Sequence, residues 1–150
     1  MLLCFSKSCI MKALIKSSVP ALLVLLFVYA AFSKLVTFND FRQQLYNQAF
    51  SHELAGFLFY FLIPAEIVTA LLLCFNRTQF AGLLFSFGLL LSFTIYIALV
   101  MLHYWDRTPC SCGGILSQMG WTSHLIFNCL FLTLNLIALY VRFSERRQKG

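Results

Sequence analysis

Charge is what this chain has least of. Lysine, arginine, aspartate and glutamate make up 11% of its 150 residues, against about 25% in a soluble domain. Only 5 residues are acidic and 11 are Lys or Arg, a net charge of +6. Glycine and proline are also scarce, at 7 and 3, whereas Phe alone contributes 17 residues and the hydrophobic share is 61%. A soluble fold of this length cannot hide that much apolar side chain, so a soluble class is excluded and the chain reads as one integral membrane domain. No internal repeat is visible, which argues against repeat-built transporter folds. The expected surroundings are lipid, and no feature points to nucleic acid.

Four apolar stretches, at about 17–38, 54–75, 80–102 and 124–141, are predicted to be membrane helices. Each is long enough to cross about 30 Å of hydrocarbon at ~1.5 Å per residue. In lipid every backbone amide must be satisfied internally, so spans of this kind are helical. The expected fold is all-α, an integral membrane four-helix bundle forming a single domain over residues 1–150. The first span has no charge before Lys34, which is expected to snorkel to the nearby interface. A Lys-rich start, an apolar stretch and the small residues Ala30 and Ala31 also fit a cleaved signal peptide, the alternative for this segment. Met11 is a second credible translation start, and Cys4 and Cys9 are given no role. The polar stretch 39–53 is expected to be a short amphipathic helix or loop at the interface.

With four spans, both termini and the turn at Arg77 share one side. That side holds Lys7, Lys12, Lys16, Arg77, Arg142, Arg146, Arg147 and Lys149, while Lys34, Arg42 and Arg107 fall on the other. The positive-inside rule puts both termini in the cytoplasm, with the long connection between the third and fourth spans outside. Trp105 and Trp121 bracket that connection, where an aromatic belt is expected.

The connection carries Pro109-Cys110-Ser111-Cys112-Gly113-Gly114. On the outer side a cysteine pair can be oxidised, and a disulfide across one intervening residue closes a small strained ring of the exchange-prone kind. Pro109 sets the turn and the two glycines free the backbone. His103 and His124, at the ends of the flanking spans, are candidate proton acceptors near the thiols. The alternatives are an inert structural disulfide, a metal site, or two thiols without a role. Two Cys and two His suit zinc in kind, but their spacing is not a standard zinc pattern, and no metal is assigned. Cys129, about 10 Å below the outer surface by helix rise, is expected to be a buried packing residue, with a third exchanging thiol as the alternative. Cys74 lies toward the other end of its span, too far away to pair with the loop.

Glu66 is the other outlier, an ionisable residue deep in the second span and two residues after Pro64. Such a group costs several kcal/mol unless it is neutral or paired. It reads either as structural glue between helices or as a proton relay or polar contact for a quinone. Helix-rise arithmetic brings Ser92 or Thr94 and Asn135 level with it. Asn128 and Asn135 share a helix face expected to point inward. Gly82 with Ser86 and Gly88 with Ser92 are small-residue pairs that permit close helix contact.

Together these features resemble a known family. They are the Phe-Ser-Lys-Leu end of the first span, Pro64 with Glu66, Phe93-Thr94-Ile95-Tyr96, the Pro109–Gly114 loop, and Trp121 with Asn128. The combination, over about residues 15–141, resembles the DoxX-like, MauE-type membrane proteins named after the methylamine utilisation protein MauE. The resemblance implies a four-helix membrane bundle tied to periplasmic thiol chemistry, supporting maturation of a disulfide-containing partner alongside a thioredoxin-like protein. Carried over residue by residue, it assigns redox roles to Cys110 and Cys112 alone.

Three readings follow. The chain is a component of thiol–disulfide exchange, passing electrons between a periplasmic partner and Cys110/Cys112, with a quinone as the candidate acceptor. Alternatively it is a non-enzymatic assembly or scaffold protein whose disulfide pins the loop. The third reading, a small transporter coupled through Glu66, has least support because the repeats are missing.

Overall fold

The computed structural model describes residues 7–48, 51–104 and 120–147, with the side chains of residues 7–9 set aside. The described residues form five helices: α1 Lys7–Val36, α2 Phe38–Tyr46, α3 His52–Cys74, α4 Gln79–Met101 and α5 Trp121–Arg147. Four are long and apolar enough to cross a membrane, Ile10–Val36, His52–Cys74, Gln79–Met101 and Trp121–Arg147. The shortest of these have 23 residues, a length of about 35 Å at ~1.5 Å per residue. The fold is the expected all-α four-helix membrane bundle.

The helices run past the limits set by apolar composition where a cap or a charge pair supports another turn. At the start of α3, the Ser51 hydroxyl accepts from the Leu54 amide at 3.4 Å, satisfying one of the free N–H groups of the first turn. The charged end of α5 continues as helix because Glu145 accepts from Lys16 of α1 at 2.9 Å and Arg146 lies 4.2 Å from the Phe80 ring centroid of α4. These two contacts gather the start of α1, the α3–α4 turn and the end of α5 at one end of the bundle.

Around the bundle the order is α1, α3, α4, α5 and back to α1, while α2 packs on α3. Core packing is divided in two. One cluster joins Leu23 and Phe27 of α1, Ala70 and Leu73 of α3, Leu83 and Leu90 of α4, and Ala138 of α5. The other seats Phe41 and Leu45 of α2 against Ala55, Phe59, Leu62 and Ile63 of α3. The stretch after the first span thus contains a short amphipathic helix, the first of the two forms expected of it. Leu25, Phe57, Phe85, Leu130 and Tyr140 stay exposed on the outer faces of the spans, as a lipid-facing surface requires. The stretch that also reads as a leader is part of this interior, since Val19, Leu23, Phe27 and Ala31 are all buried.

The α3–α4 turn shows how little sequence a tight helix reversal needs. Orphan carbonyls at the end of α3 accept from side chains just past the turn, Leu72 from the Thr78 hydroxyl at 2.9 Å and Leu73 from the Gln79 amide at 3.3 Å. Gly82 lets α4 close on that end: a Cβ there would lie 2.8 Å from the Leu73 backbone nitrogen. Gly88, by contrast, would place its Cβ against nothing within 4 Å. Of the two small-residue pairs, only Gly82 with buried Ser86 serves a contact. We therefore expect Gly82→Ala to destabilise the bundle by about 1–3 kcal/mol and Gly88→Ala to be neutral or mildly stabilising, measured by denaturant titration in micelles.

A buried amide ties α4 to α5 one layer from the polar centre. Asn135 is 0% exposed and its side chain meets the Ser86 hydroxyl at 2.5 Å. With the amide oxygen on Ser86, its nitrogen reaches the Leu83 carbonyl at 3.2 Å.

Candidate functional site

Glu66 sits two residues beyond Pro64 on α3. Proline has no amide proton, so the usual bond to the carbonyl four residues back, that of Tyr60, is not made, and the helix can bend just before the carboxylate. The carboxylate is 1% exposed. Its Oε1 accepts from Lys34 Nζ of α1 at 2.7 Å, and the lysine side chain is itself only 15% exposed. Lys34 turns back along its own helix: Nζ also lies 3.4 Å from the Ala30 carbonyl and 5.8 Å from the centroid of the Phe41 ring.

This corrects the expectation that Lys34 snorkels outward. A side chain in a helix leans toward the N-terminal turn, which here carries the ammonium inward along α1 to the carboxylate. The residues placed level with Glu66 by helix rise are engaged elsewhere. Thr94 donates to the Leu90 carbonyl at 2.7 Å and Ser92 to the Gly88 carbonyl at 2.8 Å, both within α4, while Asn135 is taken by Ser86. One signal pointed to the pair: Glu66 is the lone acidic residue deep in an apolar stretch and Lys34 the lone cation inside the first one, and two opposite charges in lipid gain by meeting.

The pair faces a cavity of about 120 Å³ walled mainly by apolar residues, among them Phe27, Leu62, Leu90 and Phe93. Trp121, His124 and Asn128 of α5 and Tyr96 of α4 also border it. Its lining residues include two buried atoms without a hydrogen-bond partner, Glu66 Oε2 of α3 and Asn128 Nδ2 of α5. Asn128 is 6% exposed, so both asparagines of α5 do point inward. Tyr96 donates to the Gln48 side-chain oxygen, linking α4 to the segment after α2.

The two candidate histidines are separated. His124, in the first turn of α5, borders the cavity with Glu66 and Lys34. His103 is exposed and takes a left-handed backbone, φ 53°. Its amide bonds the Val100 carbonyl and that of Tyr104 the Leu99 carbonyl, both at 3.1 Å. These are the two bonds of a Schellman cap. His103 therefore ends α4 at the start of the long connection. Cys129 is exposed on the outer face of α5, not buried as expected, because its neighbour Asn128 takes the inward position. Cys74 is exposed as well. Cys110 and Cys112 lie outside the described residues. Among the described residues, no cluster of His, Cys, Asp and Glu suits a metal ion.

Residues 11–141 match the family described as "Methylamine utilisation protein MauE". The chain belongs to this family. It is a multi-pass, methylamine-utilisation-related membrane protein, and the matched region takes in all of α2, α3 and α4 and most of α1 and α5. No curated protein and no solved structure matches it.

Proposed function

We propose that this MauE-family protein takes part in thiol–disulfide exchange on the outer face of a bacterial inner membrane, with Cys110 and Cys112 as the exchanging pair. Both termini face the cytoplasm in this reading, as the excess of Lys and Arg at that end favours. The partner is a thioredoxin-like periplasmic protein that hands electrons to, or takes them from, the cysteine pair during maturation of a disulfide-containing protein.

One observation carries the reading. The buried Lys34–Glu66 pair and its cavity are bordered by Tyr96 and Ile97 near the end of α4 and by Trp121 and His124 at the start of α5. Those are the helix ends joined by the Cys-Ser-Cys connection. A bundle needing only to anchor a loop has no use for an ion pair in an apolar interior, where desolvation of each charge costs several kcal/mol. Trapping tests the reading. With Cys112→Ser, the remaining thiol has no resolving neighbour, so a mixed disulfide with a thioredoxin-like protein is expected on non-reducing gels of cells expressing it. Absence of any adduct at Cys110, with the variant inserted in the membrane, contradicts the proposal.

A further inference from the structure

Two polar atoms in the central cavity have no partner in the protein, and they differ in kind. Glu66 Oε2 is an acceptor while the carboxylate is ionised and held by Lys34. Asn128 Nδ2 is a donor. Leaving such groups unsatisfied is unfavourable, and a hydrocarbon chain in the cavity satisfies neither. Apart from them the walls are mostly aliphatic and aromatic, with Leu62, Leu90 and Phe93 among them. The volume, about 120 Å³, is somewhat below the ~150 Å³ of an apolar protein cavity that binds benzene, so it takes one six-membered ring only with the ring substituents reaching out through the open side.

We infer that this cavity binds the ring of a membrane quinone, with Asn128 donating to one ring oxygen and Glu66 receiving the hydroxyl of the reduced ring. The ligand is apolar enough to arrive from lipid and flat enough for the space; its ring oxygen accepts from Asn128 in either redox state, and in the reduced ring the second oxygen, as a hydroxyl, donates to Glu66. The electron-accepting role of the ring rests on the thiol reading above; the binding does not. Oxidation of the Cys110 and Cys112 thiols to one disulfide releases two electrons and two protons. The quinone takes up both and becomes the hydroquinone, so the step balances without a further reactant.

The test uses the purified full-length protein in detergent micelles and tetramethyl-1,4-benzoquinone, whose ring carbons are all blocked against thiol addition. In a Trp105→Phe background, Trp121 at the cavity wall reports binding by fluorescence quenching. Saturable quenching is expected. Asn128→Leu should weaken it about tenfold, ~1.4 kcal/mol. Ala30→Leu, which narrows the cavity without touching a polar group, should abolish it. Should Asn128→Leu fail to fold, Ala30→Leu decides. Quenching that rises linearly without saturation, or that matches the parent protein in both variants, reports partitioning into the micelle or a cavity that holds water only, and overturns the inference. The Cys110→Ser/Cys112→Ser protein should bind with unchanged affinity. A silent cysteine pair beside intact binding refutes the thiol reading alone. A reversible cysteine couple beside absent binding refutes this inference alone.

Discussion

Lys34→Met is expected to destabilise the bundle by about 3 kcal/mol, because it strands the Glu66 carboxylate in an apolar interior. The cost stays at the lower end of the range for broken buried pairs since Glu66 can take up a proton. The double variant Lys34→Met/Glu66→Leu removes both charges and should recover most of that loss, as replacement of buried ion pairs by apolar residues commonly does. Denaturant titration of the parent, Lys34→Met, Glu66→Leu and the double variant in micelles gives the coupling directly, expected to exceed ~1 kcal/mol for partners in contact at 2.7 Å. The functional outcome separates glue from working site. If the pair only holds α1 to α3, the stable double variant retains activity. If it serves the cavity, the double variant is folded and inactive, and the latter is expected. Additive single effects would show that the 2.7 Å contact contributes nothing.

Cys110→Ser is expected to abolish exchange with a periplasmic thioredoxin-like partner, a loss at the limit of detection, while leaving insertion and the α1–α5 bundle intact. Both expectations have a physical reason. The thiolate is the reacting species in exchange, and a hydroxyl cannot replace it. Residue 110 falls between α4 and α5 in the chain, and the two core clusters described are built from residues of α1–α5. Unchanged partner oxidation in a folded Cys110→Ser protein would assign the loop a docking role. A phenotype for Glu66→Gln with both cysteine variants unaffected would instead point to a transporter coupled through Glu66.

Number, type and order of the spans were legible in composition, because apolar runs of this length in lipid leave the backbone no alternative to helix. The inward asparagines were legible from their seven-residue spacing, and the short helix α2 from the polar stretch around Phe41 and Leu45. What was not legible depended on rotation of a helix about its axis. Cys129 lies next to inward-facing Asn128, and one residue of rotation carries its side chain to the outer face. Gly82 and Gly88 have the same neighbour pattern, yet only Gly82 meets backbone, since only the start of α4 is drawn against α3 by the tight turn at 75–78. Lys34 was misread for a related reason. The snorkelling rule considers the distance to water but not a carboxylate on the facing helix, and Glu66 lies 2.7 Å from the ammonium. The cavity was legible only in fragments: Glu66, Asn128, Tyr96 and Trp121 each drew notice separately, and the fold brings them around one cavity from three helices.

The most direct test of the thiol–disulfide account is the reduction potential of the Cys110/Cys112 pair in membranes, read by differential alkylation and mass spectrometry against buffers of set potential. A reversible two-electron couple between about −120 and −270 mV, the range of proteins that exchange disulfides, is the result the account predicts. A disulfide that stays closed to well below about −300 mV, as structural disulfides do, or a pair of thiols that never joins, would contradict it.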